Sequence, residues 1–454
     1  MLSDITNPTM ELCGVGGNPG DCGITVSHKL FAPSLGLAYR VDDNTVVRAG
    51  YALSPTQVEM GNSGTQAFPA TVEGVYNGAN SYLPASTTLA TGFPTIPTPV
   101  PDSHGNVAIP FGAGNVNTLP KNFRRGYIQS YNLNVQRSFA GFVAQAGYVG
   151  THVVNQNGTV NWNYATLGGG TKSLPLYQYG ITGAITAFEP ANWDIYNSLQ
   201  ATLARRLTNG LSMQIAYTYS KDMQGGATAA LPSGGAGIEI PSLYYRNTSV
   251  TPVDRTNNFI VSSMYQLPFG RNKQFVNNGI GAAVLGGWTL NGVFYHLSGL
   301  PFYVSASNSS CNCPNAISTQ LANRVKTTVA KGRVPHEAAD GSSWFDPTAF
   351  APVTTASFGT GSFNSLRGPG ATDFDASVFR DFQVWERLSM QFRAESLNVT
   401  NTPHFNNPGA NASSASYVNG NITALNGYSQ ITTLNPLGRL LDARYFRFGV
   451  RFTF

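Results

Sequence analysis

Charge is scarce in this 454-residue chain: Asp, Glu, Lys and Arg make up 11% of it. An average soluble domain holds roughly 25%. Long apolar runs are missing too. No stretch approaches the roughly 18 consecutive apolar residues of a membrane-spanning helix, and apolar content is an ordinary 42%. The net charge is +5, but the basic residues are scattered. Without a run of Lys and Arg there is no electrostatic footprint for nucleic acid. The start, Met1-Leu2-Ser3-Asp4-Ile5-Thr6-Asn7-Pro8, has neither a basic n-region nor an apolar h-region, so it does not read as a signal peptide. Catalytic signatures are absent: no Gly-x-Ser-x-Gly elbow, no phosphate-cradling Gly-Lys-Ser/Thr loop, no His-Glu-x-x-His. The expectation is a non-enzyme. The six histidines (His28, His104, His152, His296, His336, His404) are dispersed, with no metal-ligand spacing, and no cofactor motif is present. Cysteines number four, in two close pairs, Cys13 with Cys22 and Cys311 with Cys313. No finger-like spacing surrounds them, so loop disulfides of an oxidising compartment are expected, with the connectivity left open.

What the chain has in quantity is Gly, Tyr and Phe: 49, 21 and 26 residues. Low charge with moderate hydrophobicity suits strands that face lipid on one side and water on the other. The last strand shows it most clearly. Phe446, Phe448, Val450, Phe452 and Phe454 occupy every second position, and Arg447, Gly449, Arg451 and Thr453 fill the gaps. Side chains alternate across a strand, so this segment has an apolar face and a cationic face.

Five hairpins precede it. Ser34 to Val41 and Thr45 to Leu53 join through Asp42-Asp43-Asn44. Tyr127 to Arg137 precedes Phe142 to Gly150. Asn197 to Leu207 and Leu211 to Lys221 turn at Thr208-Asn209-Gly210, a strong hairpin signal. Asn258 to Leu267 reaches Trp288 to Leu297 by a longer connection. Asp373 to Val384 and Leu388 to Val399 turn near Trp385-Glu386-Arg387. Strands of about 9–11 residues match a tilted bilayer span. Long polar stretches separate the hairpins: 54–126, 151–196, 222–257, about 304–372 and 400–443.

The expected fold is all-β: an antiparallel transmembrane outer-membrane β-barrel with about eleven strands present. Short turns belong on the periplasmic side and long loops outside. Parity then places Phe454 in the periplasm and makes residues 1–33 the tail of an external loop. Bacterial single-chain barrels have even strand numbers. The expectation is therefore that residues 34–454 are the C-terminal part of a larger barrel, with no signal peptide in this sequence.

Several segments, in order, carry a resemblance. They include Phe31-Ala32-Pro33-Ser34-Leu35-Gly36-Leu37-Ala38-Tyr39-Arg40, Ser130-Tyr131-Asn132-Leu133-Asn134-Val135-Gln136-Arg137 and Gly147-Tyr148-Val149-Gly150. Ala216-Tyr217-Thr218-Tyr219-Ser220-Lys221, Leu267-Pro268-Phe269-Gly270 and Phe392-Arg393-Ala394-Glu395-Ser396-Leu397-Asn398-Val399-Thr400-Asn401 follow. Together they resemble TonB-dependent receptors of the Oar-like type. The resemblance implies a barrel of about 22 strands, of which this chain supplies the second half, and a plug domain that this sequence does not include. It implies outer-membrane uptake of a substrate such as a siderophore, cobalamin, glycan or peptide. Surface adhesion or export and a passive porin-like channel are the alternatives. The implied partners are outer-membrane lipid, the barrel-assembly machinery through the C-terminal strand, and the TonB complex through N-terminal parts outside this sequence.

The candidate lumen-facing residues are Arg40, Arg48, Arg206, Arg393, Glu395, Arg447 and Arg451. Arg393 and Glu395 share a face and are expected to form an ion pair in the wall. Asp254-Arg255, just before the seventh strand, is a second candidate for wall pairing.

Overall fold

The computed structural model describes residues 9–21, 23–26, 31–56, 92, 100–108, 116–118, 122–227, 237–335, 337–385, 387–435, 437, 439 and 442–454. Eleven long strands carry the fold: β1 (Ser34–Arg40), β2 (Thr45–Pro55), β3 (Tyr127–Phe139), β4 (Phe142–Asn161), β5 (Ile185–Thr208), β6 (Leu211–Gly226), β7 (Asn257–Gln266), β8 (Trp288–Leu297), β9 (Ala371–Gln383), β10 (Ser389–Leu397) and β11 (Tyr445–Thr453). They form one antiparallel meander, each strand beside its neighbours in sequence. Two short pieces, Val116–Thr118 and Ser249–Val250, add to β5 and β6.

Local chemistry sets the short turns. Asn209 and Gly210 join β5 to β6 with φ of 51° and 82°. Positive φ at both central positions gives the turn whose twist matches that of the strands. Between β1 and β2 the Asp42 carboxylate accepts from the Asn44 backbone N–H at 2.7 Å, an Asx turn. The longer β7–β8 connection holds a short helix, α1 (Gly279–Leu285).

Three strands run further than their apolar alternation. β4 continues past Gly150 to Asn161, β5 starts at Ile185 rather than Asn197, and β6 passes Lys221 to reach Gly226. The ladder persists there, with Thr186 opposite Asn161 and Asn192 opposite Gly226. The reason is physical. Alternation is strict only where one face meets lipid; beyond the apolar belt the same ladder mixes polar and apolar residues, as in Thr151-His152-Val153-Val154-Asn155 of β4, and reads as loop.

The buried core lies in the loops, not on the sheet's apolar face. Phe302, Val304, Phe345, Phe350 and Tyr428 pack together within segments expected to be irregular. The Phe345 ring centroid lies 5.8 Å from Phe302, 6.1 Å from Phe350 and 5.5 Å from Tyr428. The sheet's apolar side chains point outward instead: Leu35 is 73% exposed and Phe448 69%. Cys311 and Cys313 form a disulfide. Cys13 is also disulfide-bonded; Cys22 lies outside the described residues, as do His28 and His336. β1 and β11 are the two ends of the sheet, and among the described residues their strand partners are β2 and β10.

Candidate functional site

The register carries one polar face across the sheet. Ala38 stands opposite Arg48, Arg48 opposite Asn134, Asn134 opposite Gly147, Gly147 opposite Gln200, and Gln200 opposite Thr218. In the C-terminal half Asn291 faces Ser377, Ser377 faces Glu395 and Glu395 faces Arg447. Arg40, Arg48, Arg393, Glu395, Arg447 and Arg451 all lie in this phase. Arg206 sits inside the register shift between Arg205 and Thr208, so the ladder assigns it no cross-strand partner.

These residues form a wall of cross-strand hydrogen bonds. Arg48 donates to Gln136 Oε1 at 2.7 Å. Arg447 grips Glu395 through two nitrogens, Nη2 at 2.6 Å and Nε at 2.7 Å. The expected Arg393–Glu395 pairing gives way to this contact. Arg393 instead donates to Gln391 Oε1 at 2.6 Å and lies over the Phe379 ring, 5.0 Å from its centroid. Directly opposed Cβ atoms on neighbouring strands stand about 5 Å apart, closer than residues two apart on one strand, so the cross-strand partner wins. Arg40 meets Asp43 at 3.9 Å on the open surface.

The polar face becomes buried at the end where the long loops fold over it. Asp254 pairs with Arg367, while Arg255 donates to the Ser298 carbonyl at 2.6 Å. Asp373 and Asp375 on β9 both bind Arg439, the latter at 2.7 Å. His404 is buried; its Nδ1 is 2.6 Å from Asp442 Oδ1 and its Nε2 3.0 Å from the Thr372 carbonyl. A cavity of about 290 Å³ opens beside these groups, lined by Arg255, Leu300, Pro369, His404, Asn407 and Asn435. Arg367, Arg439 and Asp442 carry no periodic signal, and sequence reasoning missed them. Arg367 is one of several charged residues in its loop, among them Arg324, Lys326, Lys331, Arg333 and Asp346, and nothing local sets it apart.

A second polar cluster occupies the extended ends of β5 and β6, beyond the apolar belt that ends near Leu199 and Tyr219. Asp194 and Asp222 lie on the polar face with their carboxyls within hydrogen-bond reach of each other. Burial and the neighbouring Asp222 charge push Asp194 up to about 7. Burial also raises Asp222, against the hydrogen bond it accepts from Thr251.

A family model described as an outer membrane beta barrel domain matches residues 2–434. No curated protein matches the chain in sequence. Among solved structures, the ferric-catecholate import receptor Fiu of Escherichia coli K12 is 12% identical, with 93% of this chain and 35% of that chain covered and a TM-score of 0.39. The outer membrane transporter YddB of Escherichia coli is 8% identical, covering 91% and 39% at a TM-score of 0.42. A mutant of the ferric enterobactin receptor PfeA of Pseudomonas aeruginosa is 12% identical, covering 93% and 40% at 0.42. The chain thus spans 35% to 40% of the length of these structures.

Proposed function

Because the chain belongs to the outer membrane beta barrel domain family, we propose that it forms part of the wall of a TonB-dependent receptor of the Oar-like type, importing a substrate across the outer membrane. The observation that carries this reading is the two-sided sheet. One face is apolar and exposed across the meander. The other is polar and, at one end, covered by packed loops. That is the distribution needed by a wall with lipid outside and a guarded aqueous lumen inside. On this reading the arginines of the polar face, with Glu395, line the lumen. The short turns are periplasmic and the loop-covered end faces the exterior. The apolar face of β11 is the recognition strand for barrel assembly.

The open edges support the presence of further strands. In hydrocarbon each unpaired backbone group costs several kcal/mol, so spanning sheets close. β1 and β11 would each pair with strands outside residues 34–454, giving a barrel of about 22 strands. A plug and TonB-contacting segment would come from the same outside part.

Uptake in living cells tests the function. Deleting the gene is expected to abolish uptake of at least one member of a panel of ferric chelates, cobalamin, glycans and peptides. Dissipating the proton gradient in the parent strain should abolish the same uptake. Unchanged uptake of the whole panel, with loss of cell-surface adhesion, would overturn the import reading.

A further inference from the structure

We infer that the extended ends of β5 and β6 form a binding site for a hard divalent cation of the calcium class. Its protein ligands are Asp194, Asp222 and Gln224. All three side chains stand on the polar face: Gln224 is directly opposite Asp194, and Tyr196, two residues on from Asp194, is opposite Asp222. Directly opposed side chains on paired strands have Cβ atoms about 5 Å apart, so three oxygen-bearing groups converge on one patch.

The hydrogen bonding is incomplete on the acceptor side. Asp222 Oδ1 and Gln224 Oε1 are both buried and have no donor, and Gln224 is 7% exposed. Asp222 Oδ2 is already served by Thr251 Oγ at 2.8 Å. The Gln224 amide nitrogen donates to Ser249 Oγ at 3.4 Å. The third nearby carboxylate, Asp254, accepts from the Asp222 backbone N–H at 2.9 Å and is neutralised by Arg367. Arg367 therefore serves Asp254, and the Asp194–Asp222 pair needs a positive partner of its own.

A single proton shared by Asp194 and Asp222 would satisfy those two carboxyls and leave Gln224 Oε1 buried without a donor. One cation serves all three oxygens at once. Carboxylate and amide oxygens completed by water are the ligands that calcium takes in its six- to eight-coordinate sites. Among the described residues no three His, Cys, Asp or Glu side chains group as a metal site; here the third protein oxygen comes from an amide. Thr251 ties the site to the loop that follows β6, through its hydroxyl and through its backbone N–H to the Asp222 carbonyl at 3.0 Å. Cation binding would thus fasten Thr251, and with it the short Ser249–Val250 strand, to the end of β6.

The test uses the native protein, extracted from outer membranes in detergent and stripped with a chelator. Calcium is titrated by calorimetry and, in parallel, by thermal unfolding. The site predicts saturable binding and a calcium-dependent rise in melting temperature. Asp194→Asn and Asp222→Asn are each expected to weaken this binding by more than about tenfold, through loss of ligand charge. Because Asp194→Asn relieves the carboxylate repulsion, the stripped variant should melt no lower than the stripped wild type. That outcome separates loss of the site from failure to fold. If the wild type shows no calcium-dependent shift, or both variants keep it, the inference is overturned. The carboxyls would then share a proton, with the Gln224 amide turned to donate to them.

Discussion

Single side chains hold the sheet and its loop cover in ways that substitution can read. Gly150 faces Tyr131 across β3 and β4, and a Cβ there would lie 2.2 Å from the Tyr131 ring. The ring covers the glycine and stacks on Tyr148 with centroids 6.0 Å apart. Gly150→Ala should displace the ring and cost about 1–3 kcal/mol, the usual range for overpacking, measurable by urea unfolding in detergent. His404 anchors the last long loop to β9. His404→Ala would leave the Asp442 carboxylate buried without its ring partner, a loss of about 3–5 kcal/mol in the same assay. Glu239 gives a pH signature. Burial raises its carboxyl above the ordinary 4.5, against a hydrogen bond from Asn161. The folded protein therefore holds this proton more tightly than the unfolded chain does. The resulting stability is fully present below pH 4.5 and is lost as pH rises through the raised value. A Glu239→Gln variant should flatten that fall when unfolding is followed across the acid range.

At the scale of the element, β11 separates its two faces. Phe448 stands opposite Ala394 on the apolar side, and Arg447 opposite Glu395 on the polar side. Phe448→Arg should cost about 2–4 kcal/mol if the position lies near the bilayer midplane, whereas Arg451→Gln on the other face should leave stability nearly unchanged. Equilibrium unfolding in lipid vesicles distinguishes the two. The same contrast explains how much of the fold was legible in the sequence. Each hairpin announced itself through alternation, as in Leu211, Met213, Ile215, Tyr217 and Tyr219, or through a turn such as Asn209-Gly210. The extensions of β4, β5 and β6 did not, because strands with no lipid on either face need no apolar period. The loop core around Phe345 was also hidden. Its members come from Phe302 to Tyr428, and contacts that distant leave no local pattern. The polar face could be read by phase alone, but the partners Arg367, Arg439 and Asp442 could not, since the loops that bring them in have no register.

At the scale of the whole molecule, the described strands form a sheet with two ends, β1 and β11. The eleven-strand meander has the outward apolar surface of a membrane wall, a family match over residues 2–434, and two edge strands, β1 and β11, that pair among the described residues with β2 and β10. The native protein should require detergent for extraction and migrate faster on a gel before boiling than after it; release into plain buffer would contradict membrane residence. Electron cryomicroscopy of the native protein from outer membranes tests the central claim most directly. The account predicts a closed barrel of about 22 strands, with β1 and β11 each hydrogen-bonded to a strand outside residues 34–454. A small barrel in which β1 pairs directly with β11 would contradict it.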